Sequence, residues 1–376
     1  MKIAIVHDDL MRKGGAEKVA LAIVRAFPEA DFYTLCYRPE LTYDEFNSYK
    51  VNTSWFQQVA KTESQMKMLF YPLGIWAMKS LKLEQYDLVI ISTTFCAKYI
   101  KLNPRAVLVT YCHTPFRLAW YPETYNNVNG NMLFRWLTLN VICPRLRVIE
   151  KKYAIRTNHF IANSNVTVDR IKTCYTDKIP VSIINPPVEL KNFRRKPQRV
   201  SDYYLVVSRF QPYKKIDLVI EAFNAMPEKK LIIVGTGGME MELKAMAGKN
   251  VEFRGVVGQD ELGELYAGCK ALIFPQEEDF GITPLEANAS GRPVIALGKG
   301  GVLETMVPYD PERDMPFTAI FFAEQTLESL LQAVQLFETV EGKLNENFIY
   351  QNAERFSESG FIDKLKKKVA AIYSGD

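Results

Sequence analysis

The sequence predicts an α/β protein of two domains, each built on a parallel sheet with helices on both faces. Short apolar runs recur along the chain, at Lys2–His7, Leu88–Ile91, Val107–Val109, His159–Ile161, Tyr203–Val207, Leu231–Val234, Ala271–Phe274 and Pro293–Ala296. These runs are nearly continuous in apolar residues instead of alternating. That is the pattern of strands buried on both faces, and such strands belong to parallel sheets. Amphipathic stretches separate them, and 376 residues are more than one hydrophobic core usually supports.

The chain opens with Lys2–His7 (KIAIVH), a loop at Gly14-Gly15 and a helical stretch, Glu17–Phe27. Tyr203–Val207 begins the same succession again, followed by a polar loop and by Leu218, Ile220 and Phe223 at helical spacing. Between them, residues 185–199 carry Pro186-Pro187, Pro197 and the basic cluster Lys191, Arg194, Arg195, Lys196 and Arg199, the composition of an interdomain linker. The expected domains are residues 1–190 and 198–354. In the remaining stretch, 355–376, an amphipathic helix over Phe361–Tyr373 is expected to be able to return to the first domain.

A composition of 48% hydrophobic and 24% charged residues is that of an ordinary globular protein and excludes a disordered one. Cys36, Cys96, Cys112, Cys143, Cys174 and Cys269 form no CxxC pair and no metal-ligand spacing. They read as reduced, buried thiols, and the expected location is cytoplasmic. MKIAIVHDDL has too short an apolar run and too early an acidic pair for a secretory signal. No stretch of roughly 18 apolar residues predicts a membrane span. The formal charge of +4 is unevenly spread: residues 1–190 hold 24 basic and 16 acidic residues, residues 191–376 hold 23 and 27. The halves are therefore expected to face different partners, scattered solvated charge being the plainer account.

Leu272–Ala296 (LIFPQEEDFGITPLEANASGRPVIA) carries the most chemistry. A buried strand ends at Pro275, an acidic loop follows, and Thr283-Pro284 predicts a helix start with Thr as cap. The amides of Phe280, Gly281, Ile282 and Thr283 then lie at the positive end of a helix, an anion site. Glu278 and Glu286 bracket that site, Glu278 in the loop and Glu286 expected in the first helical turn. Each can accept bonds from two hydroxyls of a hexose or of a ribose, or can merely favour the helix N-terminus.

The E-x7-E spacing with FG and PLEA inside it, GRPVIA after it, and Ser208–Asp217 (SRFQPYKKID) resemble the retaining GT-B glycosyltransferases of family 4 over essentially the whole second half. EEDFGITPLEANASGRPVIALGKGGVLET and YCHTPFRLAW are most similar to bacterial mannosyltransferases of lipopolysaccharide and surface-polysaccharide synthesis. The resemblance implies two Rossmann-like domains whose parallel sheets face a central cleft. It makes Arg209 and Lys214 the basic pair for the donor diphosphate. Charge builds on that leaving group in the transition state, so fixed cations count for more there than in the ground state. It makes His113, just past a strand in YCHTPFR, the histidine that reaches the donor sugar, and turns Glu278 to the reacting sugar and Glu286 to ribose. Gly14 and Gly15 match the family's phosphate-approaching glycines, and Gly235 falls in a loop that frames the nucleotide. The sequence has no Asp-x-Asp near a strand end and no His/Cys cluster, so no metal and no cofactor are expected.

The donor so implied is GDP-mannose, with a UDP-hexose as alternative, and the acceptor a saccharide or lipid-linked saccharide, with no nucleic acid. A GT-B sugar epimerase and a non-catalytic nucleotide binder are the competing classes. Glu63–Leu83 sets Met66, Leu69, Phe70, Leu73, Trp76 and Ala77 at helical spacing among Lys67, Lys79 and Lys82. Met132–Lys152 repeats the mixture with Arg135, Trp136, Arg145, Arg147 and Lys151. Such faces can lie peripherally on an anionic membrane surface, or can be ordinary packed helices with solvated lysines.

Overall fold

A computed structural model describes residues 1–122, 132–193, 201–313 and 315–375. The chain forms two compact units, residues 1–187 with 358–376 and residues 188–357. In the first, β1 (Ile3–His7), β2 (Asp31–Thr34), β3 (Val51–Thr53), β4 (Leu88–Thr93), β5 (Val107–Cys112), β6 (His159–Ala162) and β7 (Val181–Ile183) make a sheet of order β3-β2-β1-β4-β5-β6-β7. In the second, β8 (Tyr203–Val207), β9 (Lys230–Val234), β10 (Val251–Gly255), β11 (Leu272–Phe274), β12 (Val294–Leu297) and β13 (Ala319–Phe322) give β10-β9-β8-β11-β12-β13. Neighbouring strands pair in parallel in both sheets. Helices cover the faces, as parallel crossovers require.

The continuous apolar runs are the central strands: every residue of β1 and β4 is buried. Five strands have no such run; of these β10 has five residues, and β2, β3, β7 and β13 are three or four residues long. β2, β3 and β7 are also only partly covered. Their place is set by register with a longer neighbour, such as Phe32 opposite Val51, more than by a pattern of their own.

The unit boundary, between Pro187 and Val188, falls within the expected linker, near its start. Val188 and Phe193 are buried in the second unit's core with Leu205, Tyr266 and Phe356, and Phe193 meets the Tyr266 ring edge-on at 5.5 Å. Arg194, Arg195, Lys196, Pro197 and Arg199 lie outside the described residues. The last helix, Glu358–Ser374, belongs to the first unit. Phe361, Leu365 and Val369 enter one core with Ala20, Ile23 and Val24 of the helix Gly15–Ala26, and Arg25 grips Glu358 at 2.7 and 2.9 Å.

This closure makes the first unit dependent on the end of the chain. Leu365 is fully buried, so Leu365→Ala should cost that unit about 2–5 kcal/mol. All four tryptophans, Trp55, Trp76, Trp120 and Trp136, lie in the first unit, so denaturation followed by tryptophan fluorescence reports it alone. The transition should move to lower denaturant; an unmoved transition contradicts the packing role.

Candidate active site

In open parallel sheets, ligands bind beyond the strands' C-terminal ends where the strand order reverses. In the second unit that point lies between β8 and β11. The loops leaving these strands and their neighbours are laced together. Phe210 N–H donates to Thr236 O at 2.9 Å, Gly235 N–H to Gly255 O at 2.8 Å and Gly301 N–H to Glu278 O at 2.8 Å. Gly235 has φ of +131°, and a Cβ there would stand 1.9 Å from Ser208 O. Only glycine lets the β9 loop close on the residue before Arg209.

Across this point Lys214, from the β8 connection, forms an ion pair with Glu278, from the β11 loop. Their side chains keep 10% and 23% exposure, so the pair is sheltered but reachable. Gln276 Nε2 approaches the same Glu278 oxygen at 3.4 Å, and the Lys214 ammonium lies 5.1 Å from the Tyr213 ring centre. Arg209 is exposed.

The helix after the acidic loop starts earlier than its sequence suggests. It spans Ile282–Ala289, and its cap is Gly281, at φ of +81°, rather than Thr283. A positive φ lets the chain turn directly from Phe280 into the helix, where a Thr cap would have needed extended backbone. The amides of Gly281, Ile282 and Thr283 still stand at the positive end of the helix, and Pro284 has none to offer. Glu286 consequently falls in the second turn. It is 6% exposed, and its carboxylate accepts the Tyr266 hydroxyl at 2.9 Å.

The first unit treats the equivalent point, between β1 and β4, differently. Asp8 follows β1 and accepts N–H bonds from Thr94, Phe95, Cys96 and Ala97 and the hydroxyls of Thr93 and Thr94. Burial raises its pKa, but His7, Lys98 and the Thr94 and Ala97 amides outweigh burial and hold it down at about 2. The amide nest, of a kind that elsewhere cradles anions, is thus filled by the chain's own carboxylate. Behind it, the Lys98 ammonium lies 3.0 Å from buried Glu150, which also accepts the Tyr99 and Tyr175 hydroxyls.

Three carboxylates share one arginine beside the Gly14-Gly15 turn. Arg12 bonds both Asp9 oxygens at 2.8 and 2.7 Å and lies 3.8 Å from Glu17 and 3.5 Å from Glu63. Glu17 sits against Gly14, where a Cβ would meet its carboxylate at 2.6 Å. Burial lifts its pKa to about 8 against Arg12, and Asp9 adds to the rise. His113 follows β5, and its ring Nε2 lies 2.9 Å from Ser92 Oγ. Burial pushes His113 down to about 3, His7 adding to the shift and Asp8 opposing it.

The site residues expected from sequence therefore fall into two groups. Lys214, Glu278 and the Gly281–Thr283 amides gather in the second unit with Gly235 and Arg209 nearby in sequence and loop packing. His113, Gly14 and Gly15 belong to the first. Asp8, Glu17 and Ser92 went unrecognised, since a carboxylate or hydroxyl beside a strand end carries no spacing signature. On the acceptor side, Met66, Phe70 and Ala77 are core residues at 1%, 5% and 0% exposure, while Trp76 and Trp136 stand out at 58% and 57%. Lys82 is exposed, Lys79 covers the Tyr153 ring at 5.3 Å, and the Lys67 side chain lies outside the described residues. No helix among the described residues is long and apolar enough to cross a membrane.

Residues 190–355 match the family Glycosyl transferases group 1, and residues 13–192 match Glycosyltransferase Family 4. The chain is 23% identical over 441 residues to the alpha-1,3/1,6-mannosyltransferase ALG2 of Candida glabrata, spanning 100% of this chain and 90% of that protein. It is 25% identical over 272 residues to the O-antigen chain mannosyltransferase RfbU of Salmonella typhimurium, spanning 69% and 71%. Among solved structures it is similar to Anabaena HepE in complex with UDP-glucose, with a TM-score of 0.68 at 16% identity over 99% and 100% of the two chains. It is also similar to sucrose-phosphate synthase from Thermosynechococcus elongatus, with a TM-score of 0.74 at 14% identity over the full length of both. These likenesses are of fold, the GT-B fold of two parallel-sheet units.

The raised Glu17 pKa makes a stability prediction. Its carboxyl titrates at about 8 when folded and at 4.5 ordinarily, so its contribution is complete below pH 4.5 and is lost as pH rises through about 8. Glu17→Gln removes that loss. Measured by the tryptophan transition, the Gln variant should gain on the wild type between about pH 5 and about pH 9. A stability difference independent of pH contradicts the assignment.

Proposed function

This chain belongs to the GT-B glycosyltransferases of family 4, and from that premise we propose that it moves mannose from GDP-mannose, with retention, to a saccharide or lipid-linked saccharide acceptor in cell-surface polysaccharide or lipopolysaccharide synthesis. The observation that carries this reading is the Lys214–Glu278 pair beside the N-terminus of Ile282–Ala289. An incoming diphosphate competes for Lys214. The lysine and the helix amides then face charge that grows as the sugar–phosphate bond breaks, and Glu278, released, accepts hydroxyls of the sugar. Arg209 adds a second cation from the β8 loop. Fixed protein cations perform the neutralisation, so no metal enters the step. Mannose as the sugar is supported by the mannosyltransferases ALG2 and RfbU among the relatives. A UDP-hexose donor is the second reading, favoured by the UDP-glucose complex of Anabaena HepE, which aligns over almost the whole chain.

Lys214→Ala should lower turnover by about 10²–10³, the scale for one group that stabilises transition-state charge. Glu278→Gln should lower turnover more than donor affinity, Glu286→Ala should weaken nucleotide alone, and EDTA should leave the wild type active. Transfer assayed across a panel of nucleotide-sugars checks the donor. Preference for a UDP-sugar replaces GDP-mannose, and activity lost in EDTA and restored by Mg²⁺ contradicts the protein-neutralised diphosphate.

We also infer peripheral docking of the first unit on an anionic membrane, supported by exposed Trp76, Met132, Trp136 and Val148 beside exposed Arg135, Arg145, Lys151 and Lys152. Each cation near such a surface contributes about 1 kcal/mol, screened beyond about 8 Å at physiological salt. Binding to anionic vesicles should fall steeply with salt. Reversing Lys151 and Lys152 to Glu should release the protein while nucleotide affinity stays unchanged. Vesicle binding indifferent to both changes contradicts the docking surface.

A further inference from the structure

The parallel registers of β1, β4 and β5 bring His7, Ser92 and His113 together at one end of the first unit's sheet, His7 standing opposite Ser92. His7 Nδ1 lies 3.1 Å from both the carbonyl oxygen and the Oγ of Ser92, and Ser92 Oγ lies 2.9 Å from His113 Nε2. All three residues are buried, at 1%, 0% and 8% exposure for His7, Ser92 and His113. Desolvation lowers the pKa of both histidines, so each ring is neutral and carries one proton.

One arrangement of donors and acceptors then gives the His7 and Ser92 hydrogens an acceptor each. A carbonyl oxygen only accepts, so His7 carries its proton on Nδ1 and points it at Ser92. Its Nε2 is a bare acceptor, buried and without a partner among the described residues. The Ser92 oxygen, facing a donor in His7, directs its own proton to His113 Nε2. That nitrogen is therefore an acceptor, and the His113 proton sits on Nδ1. The backbone of His113 is fixed as well: its N–H donates to Thr93 O at 3.0 Å, and its carbonyl accepts from Asn163 Nδ2 at 2.9 Å and Thr167 Oγ1 at 3.3 Å. The Nδ1 proton is what the residue has left to offer a ligand.

We propose that Ser92 is a positioning residue for sugar transfer, fixing His113 as the neutral Nδ1–H tautomer so that it meets the bound hexose as a hydrogen-bond donor to a hydroxyl oxygen. His7 completes the device by donating to the Ser92 oxygen, so that the Ser92 hydroxyl turns its proton to His113 Nε2. This rests on the nucleotide-sugar reading for the identity of the ligand, while the tautomer belongs to the free protein. A neutral donor at this place suits a sugar hydroxyl; it supplies no cation for the diphosphate.

The chain has three histidines, His7, His113 and His159, so the full-length protein labelled with ¹⁵N-histidine gives a readable long-range ¹H–¹⁵N spectrum. His7→Gln and His113→Gln assign the signals. Without donor at neutral pH, His113 should appear as the Nδ1–H tautomer. Ser92→Ala should convert it to a mixture or to Nε2–H, and Ser92→Thr, which keeps the hydroxyl, should restore it. In the transfer assay Ser92→Ala should lower kcat by about tenfold, the worth of one hydrogen bond, with donor KM nearly constant. An Nε2–H tautomer in the wild type, or a His113 signal indifferent to Ser92→Ala, overturns the assignment. A changed tautomer with unchanged kcat overturns the role in transfer. No transfer from any nucleotide-sugar, with the Nδ1–H signal and its Ser92 dependence as expected, counts against the donor reading and upholds the tautomer assignment.

Discussion

The ion pair between Lys214 and Glu278 spans the gap that the second sheet's own topology opens. β8 and β11 are neighbours whose connections leave in different directions, so no backbone closes the space beyond their C-terminal ends. Two charges from the two loops close it instead. A sheltered pair of this kind has little net energy to lose when one partner is exchanged for another of the same sign, because desolvation already offsets much of its attraction. A diphosphate can therefore take the lysine and leave the carboxylate to the sugar.

The first unit shows what happens when the same gap is closed permanently. Asp8 occupies its amide nest with six donors and stays ionised, held by groups that all belong to the chain. Around it the cations are already paired and the histidines neutral: Lys98 faces Glu150, Asp9, Glu17 and Glu63 share Arg12, and His7 and His113 carry no charge. Such surroundings suit hydroxyls better than phosphates. The second unit, with Lys214, Arg209 and a helix N-terminus, suits phosphates. In the proposed reaction Lys214, Arg209 and the helix amides meet the diphosphate, and Glu278 meets the sugar.

The fold was legible where burial writes itself into composition. β1, β4, β8 and β12 are all or nearly all buried, and their apolar runs announced them to within a residue or two. β2, β3 and β7 were not legible because partial cover at or near a sheet edge permits polar residues, as in Asp31–Thr34. Within the site, Glu278 was marked by its spacing from Glu286, and Lys214 by the resemblance of Ser208–Asp217 to the family. The helix start was misplaced because Thr283-Pro284 is a good local signal, and Gly281 overrides it through a conformation that no local propensity reports. Glu286 consequently faces Tyr266 one turn further along. Ser92 was invisible for another reason: its importance comes from strands that the register sets side by side, and a serine in an apolar run reads as nothing.

In the proposed reaction the diphosphate takes Lys214 from Glu278. Calorimetric affinity for GDP, measured on the wild type, Lys214→Ala and Glu278→Gln, tests it most directly. Lys214→Ala should weaken GDP, while Glu278→Gln, which frees the lysine from its competitor, should leave GDP binding as tight as in the wild type or tighter. Equal weakening by both substitutions contradicts it, because the pair would then be a structural clasp that nucleotide leaves closed.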